Sequence, residues 1–231
     1  MPVLIVVAHP DDEVLGCGAT AAGIAAAGHS VRACFLSGHA AARVNRPSDE
    51  QLVADAEAAQ ATLGFGPPIF GDFPNIRLNS VPHLDLVRFV ERALEETQAD
   101  VVFTHHPCDL NDDHVHVSRA TQAAARLSQR GANVPPLRRL YFMEVPSSTD
   151  WALDPSRRDF RPDTFVGIGE QIELKLAALA KYRGVMRPYP HPRSPEVIRA
   201  LATLRGAQAG LRNAEAFQTG FAAGSAMDLV R

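Results

Sequence analysis

The segment Val3-Leu4-Ile5-Val6-Val7-Ala8-His9-Pro10-Asp11-Asp12-Glu13 joins an apolar run directly to a charged turn, and this junction indicates the class of fold. Its first six residues are apolar and mostly branched, which is typical of a strand covered on both faces of a parallel sheet. Residues 15–27 are rich in Ala and Gly and predict a helix that stops at Gly28. Residues 31–36 form the next apolar run, so the chain begins with a predicted β-α-β unit.

The same alternation continues along the chain. Ser48 and Gln51 have the spacing of a capping box and predict the start of a helix that runs towards residue 63. Further helices are predicted over 84–97, 114–128, 170–182 and 195–211, with strands over 100–104 and 137–144. We therefore predict an α/β fold, a Rossmann-like, doubly wound and mostly parallel sheet with helices on both faces. Without an internal repeat or a linker, we expect one domain over 1–231, with 147–231 completing the pocket.

The composition and charge of the chain argue against several classes of function. The formal net charge is −3, with no dense run of Lys or Arg, so we expect no nucleic-acid partner. The apolar stretch 2–8 is too short to span a bilayer and lacks the basic region of a signal peptide, which favours a cytoplasmic protein without a membrane partner. Cys17, Cys34 and Cys108 are odd in number and widely spaced, so they predict neither a disulfide framework nor a Cys-rich metal site.

Two polar clusters follow predicted strands, one at His9–Glu13 and the other over residues 105–114. In an open α/β sheet, ligands bind beyond the carboxyl ends of the strands, so both clusters face one crevice. Imidazoles and carboxylates are the ligand set of a catalytic zinc, and His9, Asp12 and His114 can supply three ligands. Asp11 is then available as the general base on water.

These two motifs resemble those of a known protein family. The motif 8–13 and the motif 106–114, together with segments 73–78, 172–175, 191–194 and 205–217, resemble the PIG-L/LmbE-like family of zinc-dependent de-N-acetylases over nearly the whole chain. The resemblance implies a zinc-dependent hydrolase that removes an N-acetyl group from a small-molecule amino sugar or glycoconjugate, with Zn2+ as cofactor. It assigns His9, Asp12 and His114 to the metal and Asp11 to the catalytic base. Bacterial relatives are often oligomers, so a homo-oligomer is a possible assembly of this chain.

One departure from the family motif concerns the oxyanion. Many members have His-Pro-Asp-His at the end of the second motif, where this chain has Asn-Asp-Asp-His at 111–114. Asn111 can donate a hydrogen bond to an oxyanion but cannot deliver a proton to the leaving amine. Asp113 matches an acidic residue that orients a neighbouring group. We predict Arg43 and His191 as substrate-binding residues and as candidates for the missing proton donor.

Two other functions compete with this one. The first is an amidase for another N-acyl substrate, such as a thiol conjugate or an acylated antibiotic precursor. The second is a nucleotide-binding Rossmann protein without metal chemistry; the first turn disfavours it, since it lacks Gly-x-Gly-x-x-Gly and places carboxylates where a pyrophosphate would lie. The ligand set also admits iron, cobalt or manganese.

Several neighbouring residues have competing interpretations. Glu13 is predicted to be a first-turn helix residue that supports the loop, not a ligand. His105 and His106 are assigned to orienting or structural roles, and Asp109 either to such a role or to an Asx turn. Arg193 fits equally a substrate contact and an ion pair that closes the C-terminal segment.

Overall fold

A computed structural model describes residues 1–39, 47–131, 133–154, 156 and 159–225. The strands of this part form one mixed sheet: β1 (Pro2–Val7), β2 (Ser30–Phe35), β3 (Ile69–Phe70), β4 (Val101–His105), β5 (Arg139–Met143), β6 (Thr164–Gly167) and β7 (Ala214–Ala222). Their spatial order is β3-β2-β1-β4-β5-β7-β6. The first five are mutually parallel, whereas β7 runs antiparallel to β5 and β6. The predicted α/β fold with a mostly parallel sheet is confirmed.

Helices cover both faces of the sheet. They are α1 (Asp12–Ala26), α2 (Asp49–Leu63), α3 (His83–Thr97), α4 (Asp112–Ala124), α5 (Gln171–Leu179) and α6 (Pro195–Gln208), with single 3-10 turns at Leu78–Ser80, Leu127–Arg130 and Thr149–Trp151. None of the helices in the described ranges is long and apolar enough to cross a membrane.

The β1 strand shows why its sequence is apolar throughout. Val3, Ile5 and Val7 pack into the core that includes α1, α2 and α5. The alternating residues Leu4, Val6 and Ala8 pack into the opposite core, against α3 and α4. Successive side chains point to opposite faces of a strand, and here both faces are buried.

The site lies where the strand order reverses. β1 pairs with β2 on one side and β4 on the other, and both flanking pairs are parallel. The loops after β1 and β4 therefore leave the same edge of the sheet side by side. Each leads into a helix, α1 or α4, whose first turn carries carboxylates. This arrangement brings the two sequence motifs together.

The C-terminal part differs from the sequence prediction. Strands β6 and β7 are absent from that prediction, and α1 contains a non-helical residue at Cys17 (φ −145°, ψ 16°). The backbone N–H groups of Ala19 and Thr20 after this break donate to the Glu215 carboxylate on β7 at 3.1 and 2.7 Å. The buried Lys175 ammonium neutralises Glu215 at 2.7 Å. A carboxylate distant in sequence thus satisfies the helix donors that the break releases.

Candidate metal centre and catalytic site

Three buried side chains converge at the carboxyl edge of the sheet. His9 follows β1, Asp12 begins α1, and His114 lies in the first turn of α4. Nδ1 of His9 and Nε2 of His114 lie 3.3 and 3.2 Å from the same oxygen of Asp12, Oδ2. One donor atom from each residue lies within 4.8 Å of the other two.

This donor set fits a divalent metal. Two atoms bound to a tetrahedral zinc at about 2.0–2.1 Å are roughly 3.3 Å apart. Two of the three donor pairs already have that separation. Two imidazoles and one carboxylate leave a fourth coordination position open, which is the arrangement of catalytic rather than structural zinc sites.

The far nitrogen of each imidazole faces a second carboxylate. Nε2 of His9 lies 3.0 Å from Oδ2 of Asp113, and Nδ1 of His114 lies 3.2 Å from Oδ1 of Asp109. Such carboxylate–histidine pairs fix the ring orientation and leave the opposite nitrogen free for a metal. Asp113, expected to orient a neighbouring group, lies beside His9.

Both orienting carboxylates are held by donors from elsewhere in the chain. Asp113 accepts from the backbone of Ile76 at 2.7 Å and of Leu78 at 2.9 Å. Asp109 accepts from the hydroxyl groups of Ser148 and Thr149, the latter at 2.6 Å.

Asp109 also accepts from the backbone N–H of Asn111 at 2.8 Å. It therefore forms an Asx turn and orients His114 at the same time, which unites the two alternatives raised for it.

The site strongly favours positive charge. Burial alone lowers the pKa of an imidazole, but Asp12 and Asp109 outweigh it and raise the pKa of His114 to about 10. The pKa of His9 is also raised, since hydrogen bonds to Asp113 and Asp12 outweigh its burial. The His114 charge keeps the pKa of Asp12 well below its usual value despite burial. A metal ion that binds here competes with protons on the imidazoles.

Asp11 lies in the turn between His9 and Asp12, and Glu13 follows Asp12 in the first turn of α1. The backbone of Asp11 has φ 117°, a conformation that non-glycine residues rarely adopt. Its N–H donates to Oε2 of Glu13 at 3.1 Å. Glu13 accepts on Oε1 from the Tyr182 hydroxyl at 2.5 Å and from Gln60 Nε2 at 2.8 Å, and burial raises its pKa to about 8. Glu13 therefore supports the turn, as its sequence position predicted.

Two further residues of the cluster 105–114 contact residues of the site: Asn111 contacts Asp113, and His105 contacts His114. Asn111 is the N-cap of α4, and its side-chain oxygen accepts from the backbone of Asp113 at 3.0 Å. His105 stacks on His114 with ring centroids 3.8 Å apart, and its Nε2 accepts from the backbone of Ala8 at 2.9 Å. Burial and the His114 charge lower the pKa of His105 to about 3, so it stays neutral.

The two predicted substrate-binding residues have different outcomes. Arg43 lies outside the described residues. His191 is half-buried in the loop before α6, where Nδ1 accepts from the backbone N–H of Arg193 at 3.0 Å. The residue of this loop that reaches Asp11 is Arg193, with Nη1 3.3 Å from Oδ2. A role for His191 in substrate binding stays a prediction.

Sequence reasoning missed four supporting residues: Gln60, Ser148, Thr149 and Tyr182. Ser148 and Thr149 follow β5, whose carboxyl end lies at the same edge as those of β1 and β4. The rule that ligands bind at this edge could have indicated them. Gln60 and Tyr182 lie inside or next to helices and carry no local signal.

Comparison with known proteins agrees with this geometry. The family model described as PIG-L, GlcNAc-PI de-N-acetylase, matches residues 4–125. The chain belongs to the PIG-L family. The matched range includes the whole triad, Asp11 and both orienting carboxylates.

Relatives of this PIG-L family member extend the likeness beyond residue 125. An uncharacterised deacetylase of Escherichia coli (strain K12), YaiS, is 28% identical over 193 residues, which cover 78% of this chain and 90% of that protein. A conserved protein of Thermus thermophilus has a TM-score of 0.77 and 27% identity, with 98% of each chain covered. GalB, the 4-carboxy-2-hydroxymuconate hydratase of Pseudomonas putida KT2440, has a TM-score of 0.78 at 22% identity, with 97% of this chain and 98% of that one covered. At that identity the likeness to GalB concerns the fold alone.

Proposed function

We propose that this PIG-L family member is a metal-dependent hydrolase that removes the N-acetyl group from an amino sugar or an amino-sugar conjugate. The observation that carries the proposal is the convergence of His9, Asp12 and His114 with Asp11 in the adjoining turn. The family model's description names a de-N-acetylase of a GlcNAc conjugate, which supports this substrate class. Zinc is the proposed metal, because two imidazoles and one carboxylate are characteristic catalytic zinc ligands.

The proposed chemistry divides between the metal and the turn. His9, Asp12 and His114 would hold the divalent metal, which would supply Lewis acidity for the amide carbonyl and for water. The Asp11 carboxylate takes a proton from the water that attacks the carbonyl carbon. As the C–N bond breaks, the same carboxyl group returns that proton to the leaving nitrogen, and acetate and the free amine result. One residue thus performs both transfers.

Asn111 is proposed to stabilise the oxyanion. Its Oδ1 accepts from the backbone N–H of Asp113 at 3.0 Å, which leaves the amide Nδ2 group as the donor of this side chain. An N–H donor aimed at a developing oxyanion contributes through charge stabilisation without transferring a proton. This division agrees with assigning both proton transfers to Asp11.

The experiment that tests this function is a screen for acetate release. Purified protein loaded with zinc is offered N-acetylglucosamine, its oligomers, nucleotide-linked forms and N-acylated glycosylated natural products. Asp11→Asn should bind zinc stoichiometrically while activity falls about 10²–10⁴-fold, the usual contribution of general acid–base catalysis. Asp112→Asn is the matched control, since its side chain is 63% exposed on the same helical turn as His114.

Four results would contradict the proposal. Full activity in Asp11→Asn would exclude Asp11 as the general base. Activity without stoichiometric metal would exclude a catalytic metal held by His9, Asp12 and His114. Release of longer acyl groups in preference to acetate would favour the amidase alternative. The fold also carries a hydratase in GalB. If no compound of the panel releases a carboxylic acid and the protein instead hydrates an unsaturated acid, hydration would replace hydrolysis as the proposed activity.

A further inference from the structure

The Asp11 side chain is buried close to two other carboxyl groups. The residue is 2% exposed, and Asp12 and Glu13 follow it directly. A buried carboxylate requires a cationic or hydrogen-bonding partner to be held in one orientation. Arg193 meets this requirement, with Nη1 3.3 Å from Oδ2 of Asp11.

Arg193 is itself anchored by a second contact. Its Nε donates to the Ser147 hydroxyl at 2.9 Å, and its backbone is held by His191. The next residue, Ser194, caps α6 by accepting from the backbone of Val197, so the loop ends on a rigid element. The guanidinium is therefore fixed at two points, and its position is set by the chain segment that follows β5.

Backbone strain marks both ends of this contact. Asp11 has φ 117° and Ser147 has φ 70°, and neither is glycine. Such a conformation is unfavourable and persists only where the surrounding structure holds it, most often at functional sites. Arg193 is the side chain that joins the two strained residues.

We propose that Arg193 is a positioning residue that holds the Asp11 carboxylate toward the reacting centre, with Ser147 as its anchor. The proposal rests on the proposed role of Asp11 as base. It resolves the two interpretations of Arg193 in favour of an ion pair within the catalytic machinery. The segment Ser147-Ser148-Thr149 then supports the site twice, since Ser148 and Thr149 hold Asp109 behind His114 while Ser147 holds Arg193 behind Asp11.

The contact of Arg193 with Asp11 and the contact of Thr149 with Asp109 should have separable effects on catalysis and on zinc binding. Arg193→Gln should lower kcat for acetate release from N-acetylglucosamine oligomers about 10²-fold, the cost of a catalytic group displaced by about 1 Å, with KM and zinc affinity nearly unchanged. Arg193→Lys should recover part of this loss. Thr149→Val removes a donor to Asp109 and should instead weaken zinc binding, by about tenfold.

Controls exclude a merely structural explanation. Arg187→Gln removes the same charge from the same loop, where Nε donates to the carbonyl of Gly184 at 3.1 Å, and should behave as the wild type. Added guanidinium should restore at least about tenfold of kcat to Arg193→Ala, because it replaces the missing group without a covalent link. Ser147→Ala is the milder variant should Arg193→Gln fail to fold, and its loss in kcat should not add to that of Arg193→Lys.

Crystal structures of zinc-loaded wild type and Arg193→Gln complete the test. The Asp11 carboxylate is expected to turn away from its wild-type position while the triad stays in place. An unchanged Asp11 side chain, a rise in KM at constant kcat, or no rescue by guanidinium would each overturn the proposal. The structural comparison decides the matter even if no N-acetyl compound is hydrolysed, so failure of the proposed function and failure of this inference are distinguishable.

Discussion

Replacing Asp109 with Asn tests whether the carboxylates behind the histidines tune the metal site. In Asp109→Asn, the side-chain oxygen can keep its contact with Nδ1 of His114, which lies 3.2 Å from Oδ1 in the wild type. The new amide can turn towards Thr149, whose hydroxyl can accept as well as donate. The substitution therefore keeps the contacting atoms close together, reverses the hydrogen bond with Thr149 and removes the negative charge.

The expected effect follows from the loss of that charge. Mutation of a residue that orients a metal ligand typically costs about 10–100-fold in metal affinity. That range corresponds to about 1.4–2.7 kcal/mol, since each factor of ten is about 1.4 kcal/mol. Asp109 also helps to raise the pKa of His114 to about 10, so this pKa should fall in metal-free Asp109→Asn.

Both effects can be measured on the same preparations. Zinc affinity is obtained by competition with a chromophoric chelator at fixed pH, and the His114 pKa by NMR titration of the metal-free protein. Asp112→Asn, with its exposed side chain, is the control for charge removal on the same helix and should bind zinc as the wild type does. A zinc affinity of Asp109→Asn within about twofold of the wild type would refute the orienting role of Asp109.

Three further outcomes are expected. Asn111→Ala should lower kcat about 10²–10³-fold with zinc still bound, as loss of one oxyanion donor does, and an unchanged kcat would exclude it from that role. Because burial raises the pKa of Glu13 from 4.5 to about 8, its contribution to the free energy of unfolding should be lost as pH rises from about 4.5 through 8. Urea unfolding of Glu13→Gln should therefore show a shallower decline over this range than the wild type, and equal slopes would contradict the assignment. Gly206→Ala should lower the free energy of unfolding by about 1–3 kcal/mol, since a Cβ there would lie 2.7 Å from the Leu211 carbonyl oxygen. Gly23→Ala is the control and should not destabilise in thermal unfolding, because outside the local backbone of its helix a Cβ there would meet no atom within 4 Å.

The part of the fold that sequence predicted is the part with local signals. The run Pro2–Val7 is buried on both faces, and the capping box of Ser48 and Gln51 is present at the start of α2. Strands β6 and β7 lack such signals because they lie at the antiparallel side of the sheet and are only partly covered. The β7 strand is also tied to the break in α1 by Glu215, a contact that no local pattern contains.

The candidate site divides in the same way. His9, Asp12 and His114 were predictable as a metal triad because each lies in a short motif directly after a buried strand. Their supports were not, because the partners lie far apart in sequence: Thr149 is 40 residues from Asp109, and Tyr182 is 169 residues from Glu13. A hydrogen bond across such a separation depends on the packing of α5 and of the segment after β5, which only the tertiary structure provides.

Strain shows how these distant supports serve the site. Four non-glycine residues of the described chain have positive φ: Asp11, Ile76, Gln98 and Ser147. Gln98 ends α3, where a left-handed residue is common. The backbone of Ile76 holds Asp113, and Ser147 holds Arg193, which contacts Asp11. Because each strained residue costs about 1–3 kcal/mol, contacts elsewhere must hold them in place. The strain falls on the residues that aim the proposed base and one proposed metal ligand. The geometry of the site is therefore maintained against the local preferences of the backbone. Sequence patterns reflect those preferences, so they locate His9, Asp12 and His114 but not the side chains that position them.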